Sequence, residues 1–162
     1  MVRSEAATVN LFGLEFEYDA SDPDGWRCGA VRLAGPLGGK EINVNVFEMP
    51  AGQNLCPYHY EYVEEWLIVL EGSVRLRAPD GERDLPRGEV VCFPVGPAGA
   101  HKLTNPGTET ARVMMFSSSR EPAVAVYPDG DKIGVWPGGD VKEDRIMARR
   151  SDSHLDYWDG EL

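Results

Sequence analysis

PYHYEYVEEWLIVLEG, residues 57–72, decides the fold. Its second half, Trp66 to Leu70, is continuously apolar, rich in β-branched and aromatic residues, and closed by Gly72. A run of that length is too short for a buried helix and reads as a strand covered on both faces. Its first half alternates, so on an extended chain His59 and Glu61 share one side while Tyr58 and Tyr60 share the other. A histidine and a carboxylate therefore face the same way, directly before a strand.

The segments on either side repeat the pattern. Leu14, Phe16 and Tyr18 alternate with Glu15 and Glu17, Ile42, Val44 and Val46 with Asn43 and Asn45, and Val74 and Leu76 with Arg75 and Arg77. Val90 to Phe93 and Arg112 to Phe116 are short, nearly continuous apolar runs, read like Trp66 to Leu70 as strands covered on both faces. Turn signals of Gly, Pro and Asp separate them, and APDGERD and YPDGDK, residues 78–84 and 127–132, carry hairpin signatures. Closely spaced short strands of this kind predict an all-β sandwich or barrel. The charged stretch from Asp140 to Leu162 is poorly periodic and reads as a peripheral arm with at most a turn or two of helix around Lys142 to Arg150.

Composition narrows the function. The 162 residues hold 27 acidic and 16 basic side chains, a formal charge of −11. Such a chain has no general electrostatic grip on nucleic acid or an anionic membrane, and neither is expected as a partner. The three cysteines, Cys28, Cys56 and Cys92, form no CxxC pair, and no secretory leader or 18-residue apolar run is visible. A reduced, cytoplasmic protein is expected. At this size a single domain folds without a disulfide or metal staple.

Of three histidines, His59 and His101 lie in strand-like surroundings, whereas His154 falls in the charged arm and reads as a surface residue. Glu65 opens the apolar run after His59 and Glu61. His101 lies in FPVGPAGAHKLTN, residues 93–105. Imidazoles and carboxylates converging inside a small barrel make a plausible divalent-metal site. Glu64 reads as a solvated neighbour, and Cys56 and Cys92 as packing residues. Phe93, Leu103, Met115 and Trp66 are expected in the core.

Over roughly Ile42 to Ser117 the chain resembles the cupin superfamily, whose two motifs read G-x5-H-x-H-x3,4-E-x6-G and G-x5-P-x-G-x2-H-x3-N. Gly52, His59, Glu61, Glu65 and Gly72 follow the first, and Gly88, Pro94, Gly96, His101 and Asn105 the second. There are three departures. Six residues rather than five separate Gly52 from His59, four rather than two separate Gly96 from His101, and Glu61 stands where the second histidine is usual.

The resemblance implies a double-stranded β-helix, the cupin or jelly-roll barrel. It would be one domain over residues 1–162, with a core of about 41–118, N-terminal strands within 7–40, and a C-terminal hairpin and charged arm over 119–162. It further implies a metal held by His59, Glu61, Glu65 and His101. A set of two imidazoles and two carboxylates neutralises a divalent ion and leans toward Mn²⁺ or Fe²⁺, with Zn²⁺ and Ni²⁺ also open. Protons on the histidines, ordinarily titrating near 6.5, are expected to be the main competitors of the ion, the glutamates competing only near 4.3.

Two functions fit. In one, the barrel is a metal-binding protein acting on a small organic molecule, by dioxygenase, isomerase or lyase chemistry. In the other, it is a non-enzymatic module that binds or senses a small metabolite, with or without metal, His59 and His101 then being core residues satisfied by backbone groups. A homodimer is implied by the family alone.

Overall fold

Extended segments between glycine and proline turns account for nearly all the regular structure of the computed structural model, which describes residues 6–139 and 142–161. The strands are β1 (Glu17–Tyr18), β2 (Gly29–Arg32), β3 (Ile42–Met49), β4 (Tyr60–Glu61), β5 (Glu65–Glu71), β6 (Ser73–Ala78) and β7 (Gly81–Pro86). They continue with β8 (Val90–Phe93), β9 (Lys102–Thr104), β10 (Ala111–Ser118), β11 (Ala123–Tyr127), β12 (Lys132–Trp136) and β13 (Ile146–Arg149). The helical segments among the described residues are two three-residue 3₁₀ turns, Pro97–Gly99 and Lys142–Asp144.

One wall is a six-stranded antiparallel sheet in the order β1-β2-β3-β10-β5-β8. The other consists of β13-β12-β11-β4 and β7-β6-β9, joined through the chain before β4. There His59 pairs with His101 and Asn54 with Thr104 as antiparallel bridges. This is the expected jelly-roll barrel. Between the walls Met49, Leu67, Val69, Val74, Leu76, Leu103, Val113 and Met115 form a buried cluster. Along β5 the inward positions run Glu65, Leu67, Val69, and along the β9 segment His101, Leu103. The polar residues therefore sit at one end of the interior and the aliphatic core fills the other.

Two motif positions explain themselves in the backbone. Gly72 turns the chain from β5 into β6 at φ +70°, and a Cβ there would meet the Ala111 backbone at 3.2 Å. Asn105 is 1% exposed. Its side-chain amide donates to the carbonyls of Met49 and Glu109 at 2.7 and 2.8 Å, and its oxygen accepts from the Gly107 N–H at 2.9 Å. It clasps the turn before β10 to the end of β3.

Several expectations need correction. Trp66 is 36% exposed and Val90 52%, so β5 and β8 are covered on the inner face and open on the outer one. The run from Leu14 to Tyr18 pairs only at Glu17 and Tyr18, because β2 offers it just two partners, Ala30 and Gly29. The arm holds no α-helix among its described residues: Ile146–Arg149 adds as β13 to β12, satisfying an edge that the charged sequence did not advertise. Asp140, Val141 and Leu162 lie outside the described residues. The Asp-Gly signal at 80–81 does mark a hairpin, but Pro79 and Asp80 make its turn and Gly81 pairs with Ala78.

Candidate metal centre

The backbone brings the two histidines together. His59 N–H donates to the His101 carbonyl at 3.1 Å and His101 N–H to the His59 carbonyl at 2.8 Å. Residues paired reciprocally across an antiparallel ladder project their side chains to the same face. Here that face is the barrel interior, and the ring centroids lie 4.7 Å apart. Glu61 follows two residues after His59 and shares its side of the chain. Glu65 reaches the same point from the opposite wall, at the start of β5. His59, Glu61 and Glu65 thus offer ligand atoms within 4.8 Å of one another, and His101 adjoins them through Glu65 at 3.8 Å.

Each imidazole is fixed in one tautomer. His59 Nδ1 donates to the Pro57 carbonyl and His101 Nδ1 to the Gly99 carbonyl, both at 2.9 Å. A carbonyl only accepts, so each Nδ1 carries the proton and each Nε2 lone pair points into the cluster. Backbone orientation of the far nitrogen is the usual support of a metal-binding histidine. Phe93 stacks on His101 at 3.7 Å between centroids and Tyr127 on His59 at 5.7 Å. Tyr127 comes from β11, and no motif pointed to it.

The functional atoms face one another without bonding. His59 Nε2 lies 3.9 Å from Glu61 and 4.0 Å from Glu65, and His101 Nε2 lies 3.8 Å from Glu65. These gaps exceed hydrogen-bond length. They suit donors around one ion, for which bonds of about 2.1 Å allow separations from about 3 Å at a right angle to about 4.2 Å across the ion. His101 Nε2 is buried with no hydrogen-bond partner. A core histidine satisfied by backbone groups would not leave that nitrogen bare, whereas an ion would use it. The residues fit the group.

The cluster opens at one corner. Side-chain exposure rises from 0% at His101 through 9% at His59 and 14% at Glu65 to 26% at Glu61. Glu61 is thus the solvent-facing member, and an approaching molecule meets it first.

Burial redistributes the protons. Desolvation, and then repulsion by Glu61, push the Glu65 carboxyl up to about 8. Desolvation followed by the nearby His59 lowers His101 to about 4, and desolvation lowers His59 as well. The proton present near neutrality is therefore on a glutamate, the reverse of the order expected from ordinary pKa values. Burial also pushes the Cys56 thiol up to about 12. Its sulfur and one ring nitrogen from each histidine lie within 4.8 Å of one another. Cys92, by contrast, is exposed on the outer face. Glu64 accepts the Trp66 indole N–H at 2.7 Å. His154 is exposed.

Residues 45–117 match the cupin domain family. This stretch is a cupin domain. No curated protein matches it by sequence. Among solved structures, it resembles a proposed sugar phosphate isomerase from Acidithiobacillus ferrooxidans at 21% identity, over 90% of this chain and 91% of that one, with a TM-score of 0.78. A cupin-superfamily sugar phosphate isomerase from Silicibacter pomeroyi follows at 22% identity, 93% and 98% coverage and a TM-score of 0.76. The polyketide cyclase RemF from Streptomyces resistomycificus is 22% identical over 72% of this cupin and 82% of its own chain, with a TM-score of 0.59. At these identities the likeness is one of fold.

Proposed function

We propose that this cupin holds one divalent metal ion on His59, Glu61, Glu65 and His101 and acts with it on a small organic molecule that enters past Glu61. The observation that supports this most is the bare, buried His101 Nε2, facing Glu65 across a gap too long for a hydrogen bond. When bound, a divalent ion supplies Lewis-acid polarisation of a substrate oxygen. The two Nδ1–H bonds hold the imidazoles with Nε2 toward the place an ion would take, Phe93 packs against His101, and the Glu61 corner is left for the substrate. A carboxyl titrating near neutrality also suits proton transfer. Together with the two sugar phosphate isomerases that share the fold along nearly the whole chain, it favours isomerase or lyase chemistry within the classes named above. The chain is read as one domain, cytoplasmic, with a small-molecule partner.

The test is calorimetric titration of metal into the apoprotein in buffers of different ionisation enthalpy. At pH 7 a carboxyl titrating near 8 is about nine-tenths protonated, so binding releases about one proton, and close to none at pH 9. Affinity climbs by up to about tenfold per unit between pH 5 and 8, then levels. Without metal the sign is opposite for stability. A carboxyl raised from 4.5 to about 8 by folding stabilises the fold most below 4.5, and this contribution is lost as pH rises toward 8. The lowered histidines act the other way, their contribution being lost as pH falls below about 6.5. Absence of heat and of proton release with every divalent ion tried would contradict the proposal.

The outer face of the large sheet supports a homodimer. Ile42, Trp66 and Val90 are 53%, 36% and 52% exposed and adjoin Val44, Ile68, Met114 and Phe116 on neighbouring strands. Trp66 and Phe116 stack with ring planes 7° apart. A contiguous apolar sheet face of this kind is characteristic of an interface. Trp66→Lys is expected to convert a sedimenting dimer to monomer; a wild type that sediments as a monomer at high micromolar concentration would exclude it.

A further inference from the structure

The proposed metal set leaves one potential donor unused. Cys56 immediately precedes the Pro57-Tyr58-His59 segment, and its sulfur lies with a ring nitrogen of each histidine in a group whose members are within 4.8 Å of one another. His59, Glu61 and Glu65 form a second such group. The two triads share His59 and differ in character: one offers two nitrogens and a sulfur, the other a nitrogen and two oxygens. Without an ion, burial and the charge of Glu65 keep Cys56 as the thiol, so coordination has to displace its proton. The buried His101 Nε2, the atom without a partner, belongs to a member of the sulfur-bearing triad.

We propose that Cys56 is a metal ligand, coordinating thiophilic ions such as Zn²⁺ or Co²⁺ through its thiolate together with His59 and His101. The inference rests on the metal reading above and changes its consequence: the pocket has a soft half and a hard half. Thiolate and imidazole select Zn²⁺ and Co²⁺, whereas carboxylates suit Mn²⁺ and Mg²⁺. Coordination transfers the thiol proton to solvent and leaves the sulfur bonded to the ion, with no change of oxidation state. Ion identity would therefore decide whether Cys56 or the glutamates dominate the shell, and with it how open the Glu61 corner stays for substrate.

The probe is Co²⁺ added to apoprotein and followed by absorption, with Zn²⁺ and Mn²⁺ affinities measured by competition. A near-ultraviolet sulfur-to-cobalt band is expected in wild type and in the Cys28→Ser/Cys92→Ser double variant, and is expected to vanish in Cys56→Ser. The same substitution is expected to weaken Zn²⁺ about tenfold or more while changing Mn²⁺ less than about twofold. Wild type that binds Co²⁺ without that band overturns the assignment of Cys56 and leaves the His59, Glu61, Glu65 and His101 centre standing. Wild type that takes up Mn²⁺ but neither Co²⁺ nor Zn²⁺ likewise overturns Cys56 alone, and wild type that takes up none of the three overturns both. The band in wild type and in the double variant depends on no change at Cys56, so a Cys56→Ser protein that fails to fold does not shelter the proposal.

Discussion

His101→Ala is expected to weaken divalent-metal binding at least about 100-fold, more than the 10- to 100-fold typical of losing a supporting group. The reason is geometric. His101 is fully buried, its Nδ1 is committed to Gly99, and its Nε2 has no other use. His59→Ala is expected to cost at least as much, because His59 faces both carboxylates and stands in both donor groups. Folding should survive each change. Truncating His101 removes packing against Phe93 but also an unsatisfied buried nitrogen, and the two effects oppose each other. Competition with a chelator, alongside thermal melting of the apoproteins, separates loss of the site from loss of the fold. Glu61→His adds direction: it restores the usual cupin donor set, and should retain metal while moving preference from Mn²⁺ toward Zn²⁺ or Ni²⁺. Unchanged affinity in both alanine variants would remove the histidines from the shell.

The second large effect is on stability, at a residue that touches no functional atom. Asn105→Leu strands the Met49 and Glu109 carbonyls and the Gly107 N–H, each held by the side-chain amide. Leaving a buried polar group without its partner costs about 1–3 kcal/mol, and the exposed turn at Gly107 can recover part of this from water. A net loss of about 3 kcal/mol follows, or a fall in Tm of about 6–12 °C for a chain of this size. Metal affinity measured below the transition should be nearly unchanged. A loss under about 1 kcal/mol would show that water replaces the clasp.

The fold was legible because its signals are local. Alternation in Ile42 to Val46 and in Val74 to Leu76, with turns at Gly72 and around Asp80, fixes strand faces within a few residues, and these became β3, β6 and their neighbours. The clustering of His59 with His101 was legible only through motif spacing, since periodicity cannot say which strands pair across the barrel. What the sequence hid depends on tertiary context. Trp66 to Leu70 looks the same whether its outer face meets solvent or protein, and the charged run containing Ile146–Arg149 becomes a strand because β12 presents a free edge. The proton order at the site was hidden for the same reason: Glu65 rises and His101 falls because both are desolvated together. Tyr127 and Cys56 carry no motif. Only the pairing of β11 with β4, and of the chain before β4 with the β9 segment, brings them to the histidines.

The central claim is that the four converging residues bind a metal ion, and the most direct measurement is metal content per chain. Protein purified without chelators, incubated with a divalent ion and freed of excess by gel filtration should carry close to one ion per chain by elemental analysis. The His59→Ala/His101→Ala double variant, treated alike, should carry almost none. Wild type emerging without metal, or a double variant retaining the full complement, would contradict the account.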